Sequence, residues 1–545
     1  MSKIADYLQE HVLGEVVTDA TARRYFATDG GVFEVAPQVV IYPKNTSDVR
    51  KLTRFAYQLA LKGHKLPLTA RGRGTDQTGA AIGAGASMVF PAHMNRILEL
   101  DANKGFVRVQ PGLNYRSLQD VLQSHGLFLP PFPASIDYCT IGGAISNNAA
   151  GEKSVKYGTT RKYVRSLKVV LSNGDLIETR RLTKRELSAK KGQTDIEGEL
   201  YRSLDGLISD HTELINELTL KTQTSKNASG YALGEVKRKD GSFDLTPLLV
   251  GSQGTLALIT EATLEVEGYN PHPALLAAQF DTLEKVSEAI EQLSGLQPSA
   301  LEIVDKHLLG FMGEQHPDML KGILDDTLPA FLLLIEFDDP SDRARKKHVK
   351  KAGKALGKLA SSWQEATEPE LQMRLWDIRH SAATVLRGDA HGGKALPIIE
   401  DGIVPQSQFA AYVAQIYKLF EKHRLQASFW GHAGDANLHV QPYLNLAKLT
   451  DRQKCFQIMD DYYAMLAKLG GSMSGEHGDG RLRGPYLEQF YGKKIFKLFI
   501  EVKKIFDPQN LLNPGVKTDA SKAESMALLR HEYSVAHLSD HLPQL

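Results

Sequence analysis

Two short stretches late in the chain concentrate side chains that can ligate a metal ion or move a proton. One is Gly431-His432-Ala433-Gly434-Asp435-Ala436-Asn437-Leu438-His439, and the other is Ser474-Gly475-Glu476-His477-Gly478-Asp479-Gly480. On a strand, Asn437 and His439 point to the same face. His432 has the opposite parity, but Gly434-Asp435 can turn the chain and bring it round. Two imidazoles and a carboxylate make an N,N,O set that suits Zn²⁺ or a similar divalent ion with one position left open. A lone histidine is usually structural. Several of them with a glutamate in glycine-rich surroundings point to a site.

Three glycine clusters precede these stretches. Arg71-Gly72-Arg73-Gly74-Thr75 is a loop whose glycines permit positive φ and close backbone approach. Successive N–H groups in such a loop form an anion nest suited to a pyrophosphate. The loop is not a Rossmann fingerprint, because Gln77 stands where the third glycine belongs, and no Gly-Lys-Ser/Thr follows to make a Walker A loop. The second cluster runs from Thr140-Ile141-Gly142-Gly143-Ala144 through Asn147-Asn148-Ala149-Ala150-Gly151 to Lys156-Tyr157-Gly158. The third, Gly251-Ser252-Gln253-Gly254-Thr255, lies ahead of Ile259-Thr260-Glu261.

In this order the clusters resemble the vanillyl-alcohol oxidase (PCMH-type) superfamily of FAD-binding proteins, over roughly residues 37–514. The resemblance implies an α+β chain: a two-part PCMH-type FAD-binding domain at 1–268, an α+β substrate-binding cap at 269–470, and a segment 471–545 returning to the FAD domain. It implies FAD contacts from Arg71, Gly72, Arg73, Gly74, Thr75, Ser135, Thr140, Gly142, Gly143, Asn148, Gly151, Ile259 and Asn513. Members that attach flavin covalently often carry a histidine just after the first loop. Here Thr75 and Asp76 occupy that stretch, so non-covalent FAD is implied. Cys139 is expected to be a small buried residue beside the cofactor.

The histidine stretches resemble the D-2-hydroxy acid dehydrogenase branch: D-lactate, glycolate and D-2-hydroxyglutarate dehydrogenases. By that resemblance His432, His439 and Glu476 would hold a divalent metal, with zinc expected from the ligand types, and His477 would be the base. Asn437 would hydrogen-bond substrate or flavin. The branch usually has glycine where Ala436 stands, which bears on the turn geometry. The implied reaction is oxidation of a D-2-hydroxy acid, D-lactate first, to the 2-oxo acid by hydride transfer to flavin N5. A substrate carboxylate needs a fixed cation, best an arginine, and Arg379 matches the branch's W-x-x-R position. Glu400-Asp401 before Val404-Pro405 matches its E-D-x-x-V-P. Ile399 stands where the hydroxyglutarate type tends to carry lysine, which argues for a monocarboxylate; Lys394 or an arginine could substitute. A D-2-hydroxyglutarate or glycolate dehydrogenase, an oxidase using O₂, and a flavin-binding electron-transfer subunit without its own substrate are the alternatives.

The elements that must position these groups read as mixed α and β. Val39 to Tyr42 reads as a strand ended by Pro43, and Thr46-Ser47-Asp48 as a cap for a helix to about Leu61. Phe106 to Val109 reads as a strand and Tyr115 to His125 as a helix. Arg181 to Glu199 is charged and reads as a surface insertion. Beyond Gly268 helices alternate with strands such as Phe331 to Phe337. Lys493 to Phe506 carries a helical apolar stripe whose opposite face is basic; packing on its own domain is preferred to membrane contact.

The chain has 545 residues, enough for two or more domains. Lys plus Arg total 65 and Asp plus Glu 64, which gives no electrostatic reason to expect nucleic acid. Two cysteines cannot hold a four-cysteine iron–sulfur cluster. Electrons are therefore expected to leave to a quinone, a cytochrome or a separate electron-transfer protein. The expected location is cytoplasmic, with peripheral contact at the inner face of a membrane left open.

Overall fold

The computed structural model describes residues 3–221, 223–324, 327–380 and 393–536. Three sheets organise it. In the first, Val39–Tyr42, Ala86–Val89 and Leu68–Arg71 are parallel, with Glu15–Val17 antiparallel at the edge. Val39, Ile41, Leu68 and Met88 bury against Val49, Leu52 and Ala56 of the helix Thr46–Leu61. That helix is capped by Asn45, whose Oδ1 accepts from Asp48 N at 3.1 Å. The expected capping stretch Thr46-Ser47-Asp48 lies inside the helix instead, and the Asp48 carboxylate accepts from the amides of Leu13, Gly14 and Lys44. Arg71 ends a parallel strand, so the first glycine loop springs from a strand's carboxyl end, where open α/β sheets bind ligands.

The second sheet is antiparallel, in the order Ile97–Asp101, Phe106–Val109, Leu258–Glu265, Val164–Val170, Leu176–Thr179. The charged stretch after it is less superficial than its composition implies. Leu182 and Leu187 are buried, as are Leu200, Tyr201 and Leu204 on the helix Ile196–Asp210. Its charges lie on the outer face of an amphipathic arrangement.

The third sheet has eight strands, in the order Ser362–Ala366, Ala274–Phe280, Phe331–Phe337, Ala300–Asp305, Ala427–His432, Asn437–Leu444, Lys394–Ala395, with Gly402–Ile403 also on Asn437–Leu444. Phe331–Phe337 is apolar throughout except for Glu336 because both its faces are covered. Leu333 and Ile335 join a core with Val286, Ile290, Val413 and Ile416 of overlying helices. Leu332 and Leu334 face the other way, with Val304, Leu308, Leu375 and Ile378. This second face also carries the chemistry. Glu302 pairs with His432, His432 with Asn437, and Trp430 with His439, so cross-strand register puts all five side chains on it.

The C-terminal part returns to the first sheet. Leu68 N donates to Leu511 O at 2.7 Å, and Leu511 and Leu512 complete that sheet's core. The helix Lys493–Phe506 buries Ile495, Leu498, Phe499, Val502 and Phe506. Its Lys503 is buried too, donating to Thr255 O, Leu512 O and Asp507. Among the described residues no helix is long and apolar enough to cross a membrane.

Candidate active site

The hairpin turn Ala433–Asp435 brings His432 back beside His439, with their Nε2 atoms 3.3 Å apart. Ala436 takes the left-handed conformation, φ 52°, at the end of that turn. Alanine there costs about 1–2 kcal/mol relative to a right-handed residue, yet the turn keeps the geometry that brings the two histidines together. The loop of Glu476 and His477 covers the hairpin. Glu476 Oε1 lies 3.0 Å from His432 Nε2, 3.4 Å from His439 Nε2 and 3.7 Å from His477 Nε2.

A carboxylate stands behind each imidazole. Glu302 Oε1 accepts from His432 Nδ1 at 2.8 Å, Glu400 accepts from His477 Nδ1, and Glu400 Oε2 is 3.6 Å from His439 Nδ1. Ionised carboxylates only accept, so the Nδ1 protons of His432 and His477 are committed there, while His439 Nδ1 is buried without a hydrogen-bond partner; all three Nε2 atoms face Glu476 Oε1. Neutral imidazoles in this arrangement aim Nε2 lone pairs at a carboxylate, which repel unless a proton or a metal cation sits among them. Tetrahedral bonds of about 2.0–2.1 Å to nitrogen or oxygen would separate ligand atoms by about 3.3 Å, and the observed separations within the His432, His439 and Glu476 set match that spacing. The residues present thus fit a divalent ion.

Asp401 also lies within 4.8 Å of His439, Glu476 and His477. Its oxygens are already engaged, accepting from the amides of Glu476 and His477 and from Ser474 Oγ. It shapes the loop. Burial disfavours a charged His477, but Glu400 and Asp401 outweigh this and push it up to about 10. That departs from an unperturbed histidine near 6.5; a positive ion beside Glu476 opposes it. His477 is 24% exposed while its neighbours are buried, so it is the histidine that a small molecule in the cleft can reach most directly.

One cleft connects this cluster to the glycine loops. Arg71 to Asp76, Ser135, Thr140, Gly142, Gly143 and Ile259 line it at one end; Arg379, His432, His439, Glu476 and His477 line it at the other. Gly74 turns at φ 77°, directly over the Arg71 guanidinium, which is itself spent on Thr28 O and Ala81 O. Cys139 lines the cleft as a buried free thiol, pushed up to about 12 by burial.

Four expected contact residues sit behind the wall rather than on it. Asn148 caps the helix Ile141–Asn147 in a left-handed conformation and bonds Asn227 O and Arg161 N. A Cβ at Gly151 would run into the Phe132 carbonyl, so that glycine serves backbone packing. Asn513 ties Ala80 O and Gln253 O together. Asn437 donates to Asp401 O and Gly402 O and is fully buried. Small amides at such sites satisfy backbone groups that the turns leave open. Arg379 does line the cleft, and its Nε donates to Glu302 Oε2 at 2.7 Å. Glu302 announces itself in sequence only as a charge inside the apolar strand Ala300–Asp305, and Arg483 and Lys226 carry no local signal.

Comparison with known proteins identifies the family. The FAD binding domain family matches residues 37–180, and the C-terminal domain of FAD linked oxidases matches 270–516. Glycolate oxidase subunit GlcD of Bacillus subtilis is 30% identical over 486 residues, 89% of each chain. This chain belongs to the FAD-linked oxidase family. Within the family, D-lactate dehydrogenase of Archaeoglobus fulgidus is 28% identical over 88% of this chain and 90% of its own. D-2-hydroxyglutarate dehydrogenase of Escherichia coli is 30% identical over 93% of this chain, which spans about half, 50%, of that protein's length. The fold of this FAD-linked oxidase is that of p-cresol methylhydroxylase, with TM-score 0.65 at 14% identity over 93% and 94% of the two chains.

Proposed function

We propose that this chain oxidises a D-2-hydroxy acid to the 2-oxo acid, with D-lactate as the first substrate to test. The observation that carries this reading is the single cleft that joins the glycine loops to His432, His439, Glu476 and His477. FAD, held non-covalently by the loops, supplies the hydride acceptor. His432, His439 and Glu476 would hold a divalent metal, zinc by ligand type, which would supply polarisation of the substrate hydroxyl. In its neutral form, which a divalent ion beside Glu476 would favour, His477 takes the hydroxyl proton at Nε2, because Glu400 holds its Nδ1. Arg379 binds the substrate carboxylate through the guanidinium nitrogens that Glu302 leaves over.

Ala395 and Trp430 line the same end of the cleft and suit a short apolar tail. Ile399 is buried in the core and does not line the cleft, so its identity says little about a second carboxylate. D-2-hydroxyglutarate is the second reading, favoured by the names of several relatives. Electrons then pass to a quinone, a cytochrome or a separate electron-transfer protein. Anaerobic titration with D- and L-lactate, glycolate and D-2-hydroxyglutarate tests the proposal. Bleaching of the flavin by a D-acid and not its L-form supports it. A flavin that no 2-hydroxy acid reduces means that the chain lacks a substrate of this class.

A further inference from the structure

The strip Ser225–Gly230, far from both histidine stretches in sequence, runs alongside them in space. Ser225 Oγ donates to Asp435 Oδ1, Lys226 Nζ to Glu476 Oε2, Ala228 N to Ser474 O, and Ser229 Oγ to Asp479 Oδ1. Asn227 Oδ1 accepts from Ser472 Oγ, and its carbonyl accepts from Asn148 Nδ2, which reaches back to the second glycine cluster. Of this strip, Lys226 is the side chain that touches one of the converging groups.

We infer that Lys226 is a positioning residue for the metal site, and this rests on the reading of His432, His439 and Glu476 as metal ligands. Lys226 is buried, with its side chain 1% exposed. Its Nζ lies 2.6 Å from Glu476 Oε2 and 3.1 Å from Ser154 Oγ, and Ser154 in turn donates to Asp435 Oδ2 at 2.5 Å. A carboxylate has two equivalent oxygens and a rotatable stem. With Oε2 held by an ammonium, Oε1 alone faces the three Nε2 atoms, so the glutamate offers one ligand atom in one orientation. The anchor also fixes the hairpin turn through Asp435, so the same lysine sets both the carboxylate and the distance between the two histidine stretches. Two effects of losing it oppose each other. A cation fewer lowers the repulsion toward an incoming metal ion, and an unanchored Glu476 loses its aim. The inference is that aim dominates, as it does where outer-shell partners orient metal ligands.

The test uses the purified flavoprotein and Zn²⁺, with affinity measured by competition against a chromophoric chelator at fixed pH. Lys226→Met should keep its FAD absorbance and bind Zn²⁺ about 10- to 100-fold more weakly. Lys226→Gln, which retains a donor, should fall between the two. Lys517→Met serves as a control: it removes another buried lysine, paired with Asp479 at 2.7 Å, without touching Glu476, and should leave Zn²⁺ affinity unchanged. Should Lys226→Met not fold, Ser154→Ala removes the bridging hydroxyl and should still weaken Zn²⁺ several-fold. Unchanged or tighter Zn²⁺ binding in the Lys226 variants, or in Ser154→Ala, overturns the inference. Absence of Zn²⁺ binding by the unaltered protein instead overturns the reading of the ligands on which it rests.

Discussion

Glu302→Gln is the substitution whose outcome follows most directly from the geometry. Glu302 is 1% exposed and spends one oxygen on each of two partners: Oε1 on His432 Nδ1 at 2.8 Å, Oε2 on Arg379 Nε at 2.7 Å. Glutamine has the same shape but one oxygen and one NH₂. Whichever way the amide turns, one partner keeps an acceptor and the other faces a donor. If the oxygen stays with Arg379, His432 loses the group that fixes its tautomer, and metal affinity should fall about 10- to 100-fold, or about 1.4–2.7 kcal/mol. If it stays with His432, the Arg379 guanidinium loses its charged partner, a hydrogen bond worth about 1.5–3 kcal/mol, and KM for the hydroxy acid should rise by a similar factor. The assay pairs Zn²⁺ competition with steady-state KM on metal-saturated protein. One of the two must move. If both keep their original values, Glu302 does not organise the site, and the link drawn between the arginine and the histidine is wrong.

Other outcomes are equally specific. His477→Ala should retain FAD and metal yet reduce its flavin about 10²- to 10⁴-fold more slowly, whereas His439→Ala should lose metal first; stopped-flow bleaching and metal analysis separate them, and wild-type bleaching by His477→Ala would move the base elsewhere. Acid precipitation should release FAD into the supernatant, and flavin remaining with the pellet would refute a non-covalent cofactor. Asp305 is fully buried with Oδ2 unpartnered, and burial raises its pKa to about 7. Its folded value lies above the unfolded one of about 3.9, so its stabilising contribution is complete below pH 4 and lost as pH rises through 7, up to about 4 kcal/mol. Asp305→Asn keeps the cap to Leu308 N and should flatten that slope in denaturation measured from pH 5 to 8; an unchanged slope would reject it. Ala436→Gly should stabilise the chain by roughly 1 kcal/mol by relieving the left-handed alanine, read from chemical denaturation, and a loss of stability would count against the strain.

The parts of this protein legible in its sequence are those made by neighbours along the chain. Glycine loops, the turn between His432 and His439, and the strands Phe106–Val109 and Phe331–Phe337 follow from local spacing, because turn chemistry and side-chain alternation act over a few residues. Residue types able to ligate a metal, two histidines and a glutamate with His477 beside it, are legible for the same reason. Which distant charges pair with them is not. Lys226 stands 250 positions from Glu476, Glu302 stands 130 from His432, and Glu400 stands 77 from His477. A buried charge is stable only where the fold brings it an opposite charge or a donor, and no local pattern records which distant residue will arrive. The same reason separates cleft from scaffold. Asn148, Asn437 and Asn513 have the side chains of ligand-binding residues, and only the tertiary structure shows that their Nδ2 atoms donate to backbone carbonyls.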